Sequence, residues 1–149
     1  MHGLPKHDGD RRIDWGLTSS DYAIYRPGPP DIYYRRLAAL GVGLPVQRIL
    51  DLGTGTGVLA AQFARQGARV AGVDVSPVQI ETAQRTASEV GLAIDFRVAP
   101  AEELPWEEPK FDVATANPCW LYFDKDRALA ELRRVLQPGG WLVTSHFSW

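Results

Sequence analysis

The sequence contains one cysteine, Cys119, and three histidines among 149 residues. A single cysteine excludes an intrachain disulfide and a multi-cysteine zinc site, a pattern that suits a reducing compartment. No metal site is expected. No apolar run approaches the roughly 20 residues that span a bilayer, and the opening residues Met1 to Asp8 lack the apolar core of a secretion signal. A cytoplasmic protein without a membrane partner is therefore expected. Charge of one sign is also missing: 16 Lys and Arg stand against 18 Asp and Glu, for a formal net charge of -2. Without a broad cationic field, nucleic acid is not expected as an obligatory partner. Repeats and low-complexity tracts are absent as well.

What is present is an ordinary globular composition, 45% hydrophobic and 23% charged, in a chain the length of one domain. Residues 1–30 are rich in Gly, Pro, Asp and Arg and lack an apolar period, which reads as an arm or lid. From residue 31 to 149 the pattern is that of a single domain. Asp31–Leu40 reads as a helix stopped by Gly41. Strands are then expected at Arg48–Leu52, Arg69–Asp74, Ile94–Val98, Phe111–Ala116 and Trp141–Phe147. Helices are expected at Val58–Gln66, Pro77–Val90 and Asp124–Leu136. Strict alternation implies parallel strands joined by right-handed crossovers, hence an α/β, doubly wound, Rossmann-like sheet.

The segment "RILDLGTGTG" places Gly53, Gly55 and Gly57 at the turn between the first strand and its helix. Glycine permits positive φ and close approach of a ligand, and the helix that follows directs its N–H groups and positive end into the gap. A tight turn with no ligand would also use glycine. Asp74 ends the next strand, where its carboxylate can accept two hydrogen bonds from a ribose diol; as a surface acid at the Ser76-Pro77 helix start it would also make sense. Two nucleotide readings fit these residues. Gly55-Thr56-Gly57-Val58-Leu59-Ala60 matches G-x-G-x-x-A, the dinucleotide fingerprint. In the other reading Asp51 at the front of the run matters, because a pyrophosphate gains nothing from an adjacent acid.

"DLGTGTG" resembles motif I of the class I S-adenosylmethionine-dependent methyltransferases. Four further segments follow in that family's order: "VAGVDVSPVQIETAQ", "APAEELPW", "FDVATANPCWLYFD" and "ELRRVLQPGGWLV". Within the family the chain resembles the trans-aconitate methyltransferase-like small-molecule enzymes. The resemblance implies S-adenosylmethionine as cofactor, strand order 3-2-1-4-5 and methyl transfer to a small-molecule acceptor. It assigns the cofactor to Asp51, the three glycines, Asp74 and Val75, to Ala101 and Glu102 at the adenine edge, and to Asn117. Pro100 stands where many relatives carry an aspartate, which leaves base recognition to the Ala101 N–H and to Glu102.

For the acceptor, the resemblance implies Trp120, Tyr122 and Phe123 in the loop after the fourth strand, and Tyr22, Tyr25 and Arg26 in the arm. Packing beneath the loop would account for the same aromatics. Leu121 replaces a histidine common in relatives, so that position carries no base. His146, near the end of the fifth strand, is then the candidate catalytic base or acceptor contact. Cys119 reads as a small packed side chain rather than a nucleophile. The family's sheet normally continues with two more strands, whereas this sequence stops at Trp149. A cofactor-binding chain with an incomplete acceptor side is therefore expected, and a nicotinamide-dependent oxidoreductase is a further alternative. The fifth strand is expected to be an edge able to pair with a second copy in a homodimer.

Overall fold

The computed structural model describes residues 28–146, together with a short antiparallel pairing of His7–Asp8 with Arg11–Arg12. The expected lid residues Tyr22, Tyr25 and Arg26 lie outside the described residues. Five parallel strands form the main sheet: β1 (Arg48–Leu52), β2 (Arg69–Asp74), β3 (Asp95–Val98), β4 (Phe111–Ala116) and β5 (Leu136–Thr144). Their spatial order is β3-β2-β1-β4-β5, the expected 3-2-1-4-5 arrangement.

The central strands are continuous apolar runs because both faces of a parallel sheet are covered. One face carries Ile49, Val70 and Val113 beneath α1 (Asp31–Ala39), α2 (Val58–Arg65) and α3 (Pro77–Glu89), whose Leu37, Phe63, Ile80 and Ala83 complete that core. The other carries Leu50, Leu52, Val73, Ala114 and Ala116 beneath α4 (Lys125–Val135) and Leu104 and Trp106 of the segment after β3. Local chemistry fixes the helix starts. Ser76 accepts a hydrogen bond from the Gln79 N–H ahead of α3, with Pro77 in the first turn, and Asp124 accepts from the Arg127 N–H ahead of α4.

The fifth strand departs from expectation at its start. It begins at Leu136, five residues before Trp141, and pairs with β4 on one side only. Leu136 lies opposite Phe111 and Trp141 opposite Val113, so residues 137–140 bulge against Asp112 alone. A Cβ on Gly140 would stand 2.9 Å from the Gln137 carbonyl oxygen, so the bulge depends on glycine there. The Pro-Gly-Gly chemistry reads locally as a loop, but Leu136 already belongs to the ladder. At the other edge, β3 begins at Asp95 rather than Ile94.

Candidate functional site

The candidate site lies at the carboxyl ends of β1, β2 and β4, where α/β sheets of this kind bind ligands. On one sheet face Asp51 stands in register between Gly72 of β2 and Thr115 of β4. Asp51 is only 3% exposed. Its Oδ1 accepts from the Thr115 hydroxyl at 2.7 Å and its Oδ2 from the Thr54 hydroxyl at 2.8 Å. Burial raises its pKa from 3.8 to about 6; the two hydroxyl hydrogen bonds act against that rise, and the nearby Asp74 adds to it. The carboxylate is thus sealed beneath the glycine turn rather than exposed at its surface.

The three glycines all have positive φ but do different work. A Cβ on Gly53 would stand 2.7 Å from Cys119 Sγ, and one on Gly57 would stand 2.7 Å from the Phe96 ring. Both positions are forced by packing. A Cβ on Gly55, at φ +57, would meet nothing within 4 Å, which makes Gly55 the point of the turn open to a ligand.

Asp74 binds this turn to the neighbouring strand. Its Oδ2 accepts from the Gly55 N–H at 3.0 Å and its Oδ1 from the Ser76 N–H at 2.9 Å. Each oxygen keeps a further lone pair for an outside donor. Val75, beside it, is 64% exposed, an apolar side chain left uncovered at the rim of the site.

The segment after β3 is braced from α4 as well as by its own Glu103 N–H to Pro100 carbonyl bond and by Arg97 of β3, which donates to the Pro105 carbonyl. Glu131 accepts from the Leu104 N–H at 2.6 Å, while Arg134 donates to the carbonyls of Leu104 and Trp106 and pairs with Glu131. Ala101 is buried within this braced segment. Glu102, expected at the base edge, accepts from the Asp124 N–H at 2.8 Å and ties this segment to the start of α4.

Beyond β4 the chain turns through a 3-10 segment, Trp120–Tyr122. Trp120 meets Phe123 edge to face at 5.9 Å between ring centres, and both pack on the core below. Tyr122, 61% exposed, is the ring this loop offers to the outside. Asn117 directs Oδ1 into a buried position with no hydrogen-bond partner. Cys119 donates to the Leu52 carbonyl at 3.1 Å, and burial pushes its thiol up to about 12. His146 follows β5 at the same end of the sheet and is exposed.

The structure therefore brings Asp51, the glycine turn and Asp74 together and sets Asn117 beyond the neighbouring strand. Thr54, Thr115, Glu131 and Arg134 were not singled out in the sequence. The Thr between Gly53 and Gly55 was a legible signal, whereas Thr115 required the register of a strand 64 residues away. Among the described residues, no group of three or more His, Cys, Asp or Glu could hold a metal ion, and no helix is long and apolar enough to cross a membrane.

The family described as "Methyltransferase domain" matches residues 50–144. Demethylmenaquinone methyltransferase of Thermus thermophilus is 41% identical over 121 residues, which cover 78% of this chain and 55% of that protein. The ubiquinone/menaquinone biosynthesis C-methyltransferase UbiE of Vibrio parahaemolyticus is 40% identical over 111 residues, 70% of this chain and 42% of that protein. The chain thus spans about half the length of these curated relatives. Among solved structures, phosphoethanolamine N-methyltransferase 2 of Haemonchus contortus, in complex with S-adenosyl-L-methionine, is 28% identical with a TM-score of 0.73, covering 84% of this chain and 31% of that one.

Proposed function

The chain belongs to the class I S-adenosylmethionine-dependent methyltransferase family, and from that premise we propose that it binds the methyl donor over the glycine turn and directs methyl transfer to a small-molecule acceptor of the quinone type. Family membership sets aside the nicotinamide alternative. The observation that carries the reading is the pairing of Asp74 with the Gly55 amide, which places a carboxylate with spare lone pairs beside the open point of the turn.

The residues present fit the cofactor by their chemistry. In this reading Asp74 accepts the ribose hydroxyls and Val75 covers one face of the adenine. Ala101 and Glu102 belong to the segment that frames the base edge. Gly55 lets the amino-acid end approach the backbone, Gly53 and Gly57 shape the turn, and Asp51 supplies the negative charge that an ammonium requires. When bound, S-adenosylmethionine supplies a methyl group already activated by its positive sulfur. The protein's contribution is to hold the acceptor atom in line with that group and to keep water away.

Asn117 lines the cofactor site from the end of β4, and the Trp120–Phe123 turn forms the acceptor side of this reading, with Tyr122 as the exposed ring against which a flat acceptor packs. Tyr22, Tyr25 and Arg26 remain lid candidates, and His146, just beyond the carboxyl end of β5, remains the candidate base. The quinone class is supported by the names of the curated relatives, which concern menaquinone and ubiquinone synthesis. The reading also includes pairing of the β5 edge with a second copy, which light scattering across concentration tests. Transfer of labelled methyl from S-adenosylmethionine to a panel of hydroquinones, carboxylates and amines tests the acceptor class. Labelling of hydroquinones is expected, and labelling confined to the other two classes overturns the quinone assignment.

A further inference from the structure

Asp51 is a buried carboxylate flanked by two hydroxyl donors. Thr115 lies directly across from it on β4 and Gly72 directly across on β2. A Cβ on Gly72 would stand 2.8 Å from Thr54 Oγ1. The missing side chain at residue 72 is therefore what lets Thr54 turn back and donate to Asp51. Each carboxylate oxygen receives one hydroxyl proton, an arrangement that stabilises the charged form of a buried acid.

The titratable groups that face this carboxylate come from three further elements. They are Asp74 at the end of β2, Cys119 in the loop after β4, and Tyr33 and Tyr34 on α1. Among the described residues none of these partners is a cation. Tyr33 is itself engaged with Ser145 at 2.9 Å. Two hydroxyl donors are thus committed to a buried carboxylate whose other neighbours are acids and neutral groups, so its charge is held by the hydroxyls against burial and has no cation beside it among the described residues.

Resting on the cofactor reading above, we propose that Thr54 and Thr115 are positioning residues whose hydroxyls hold Asp51 as the buried anion to which the cofactor's ammonium is the counter-ion. Direct contact is not required, because an opposite charge within about 4–6 Å already favours the ionised acid. A pH dependence follows. Below the point where Asp51 ionises in the free protein, binding must also drive its proton into solvent, and affinity falls. Above that point Asp51 is ionised in both the free and the bound protein, so loss of a hydroxyl cancels between the two states. Removing either hydroxyl thus weakens binding in a window near neutrality and leaves it intact at higher pH.

Titration calorimetry with S-adenosylhomocysteine, which keeps the same ammonium, tests this on wild type, T115V, T54V and T115S. Valine keeps the branched shape of threonine and replaces the hydroxyl with a methyl group that cannot donate. Each valine variant should bind about threefold or more weakly near pH 6.5, as for a shift of about one unit at Asp51, with the deficit closing toward pH 8. T115S should behave as wild type. The ligand's own titration is common to all four proteins and leaves their ratio unchanged. A deficit of the same size at every pH, or no deficit, overturns the positioning role while leaving the cofactor reading intact. Absence of wild-type binding at every pH overturns the cofactor reading itself. Carbon NMR of the Asp51 carboxyl in the free protein, assigned with D51N, gives an independent readout. Its titration should move upward in T115V, and an unmoved titration contradicts the proposal.

Discussion

Asp74 Oδ2 accepts the Gly55 N–H at 3.0 Å, so the acid ending β2 braces the turn that follows β1. Asp74→Ala therefore removes both the acceptor for a ribose diol and the brace on the turn. Affinity for S-adenosylmethionine should fall about ten- to a hundredfold, or ~1–3 kcal/mol, as measured by calorimetry. Unchanged affinity would reduce Asp74 to a residue of the α3 start.

The glycine turn separates fold from binding. Gly57→Ala places a methyl group 2.7 Å from Phe96 at φ +82, and it should destabilise the protein by about 1–3 kcal/mol through overpacking alone. Gly55→Ala meets no neighbour and carries only the cost of its positive φ, about 1–2 kcal/mol. It should remain folded and lose cofactor affinity. Thermal melts alongside calorimetry check the pair. Normal binding by folded Gly55→Ala would show that the ligand does not approach the turn there.

Asp51 gives stability a pH dependence of defined sign. Its pKa is raised from 3.8 to about 6, so between these values the folded state retains a proton that the unfolded state has released. Stability from this group is present below 3.8 and is lost as pH rises through about 6. Asp51→Asn has no such dependence. Its stability relative to wild type should rise by about 3 kcal/mol across that window, as read from urea unfolding at a series of pH values. A difference that stays flat with pH would mean that Asp51 is not buried as described.

Cys119 should be inert while the protein is folded. Its thiol is pushed from 9.0 to about 12 by burial, with Asp51 nearby raising it further, which lowers the thiolate fraction about a thousandfold at neutral pH. Alkylation should be slow in the native protein and ordinary in denaturant. Rapid native labelling would show the 117–123 loop to be open.

Much of the sheet was legible because its signals are local. The bounds of β1, β2 and β4 follow from continuous buried runs, and each main helix agrees once its flanking caps are set aside: Leu40, Gln66, Val90, Asp124 and Leu136 lie just outside the helices. The start of β5 was hidden by turn residues that belong to a bulge, a feature visible only when Leu136 is seen opposite Phe111.

The site divides in the same way. Asp51, the glycines and Asp74 carry a motif within 24 residues of sequence. The Thr115 hydroxyl, and the bond that draws Glu102 to Asp124, depend on strands and loops brought together from afar. Glu131 and Arg134 carry no local signal of their role, because their hydrogen bonds reach a segment about 30 residues earlier, the one that carries Ala101.

A methyl-donor site centred on Gly55, Asp51 and Asp74 is probed by calorimetric titration of the full chain with S-adenosylhomocysteine and, separately, with NAD. One-site binding of S-adenosylhomocysteine in roughly the micromolar range, weakened by Asp74→Ala, is expected, with no comparable binding of NAD. Binding of NAD with no response to S-adenosylhomocysteine would contradict such a site.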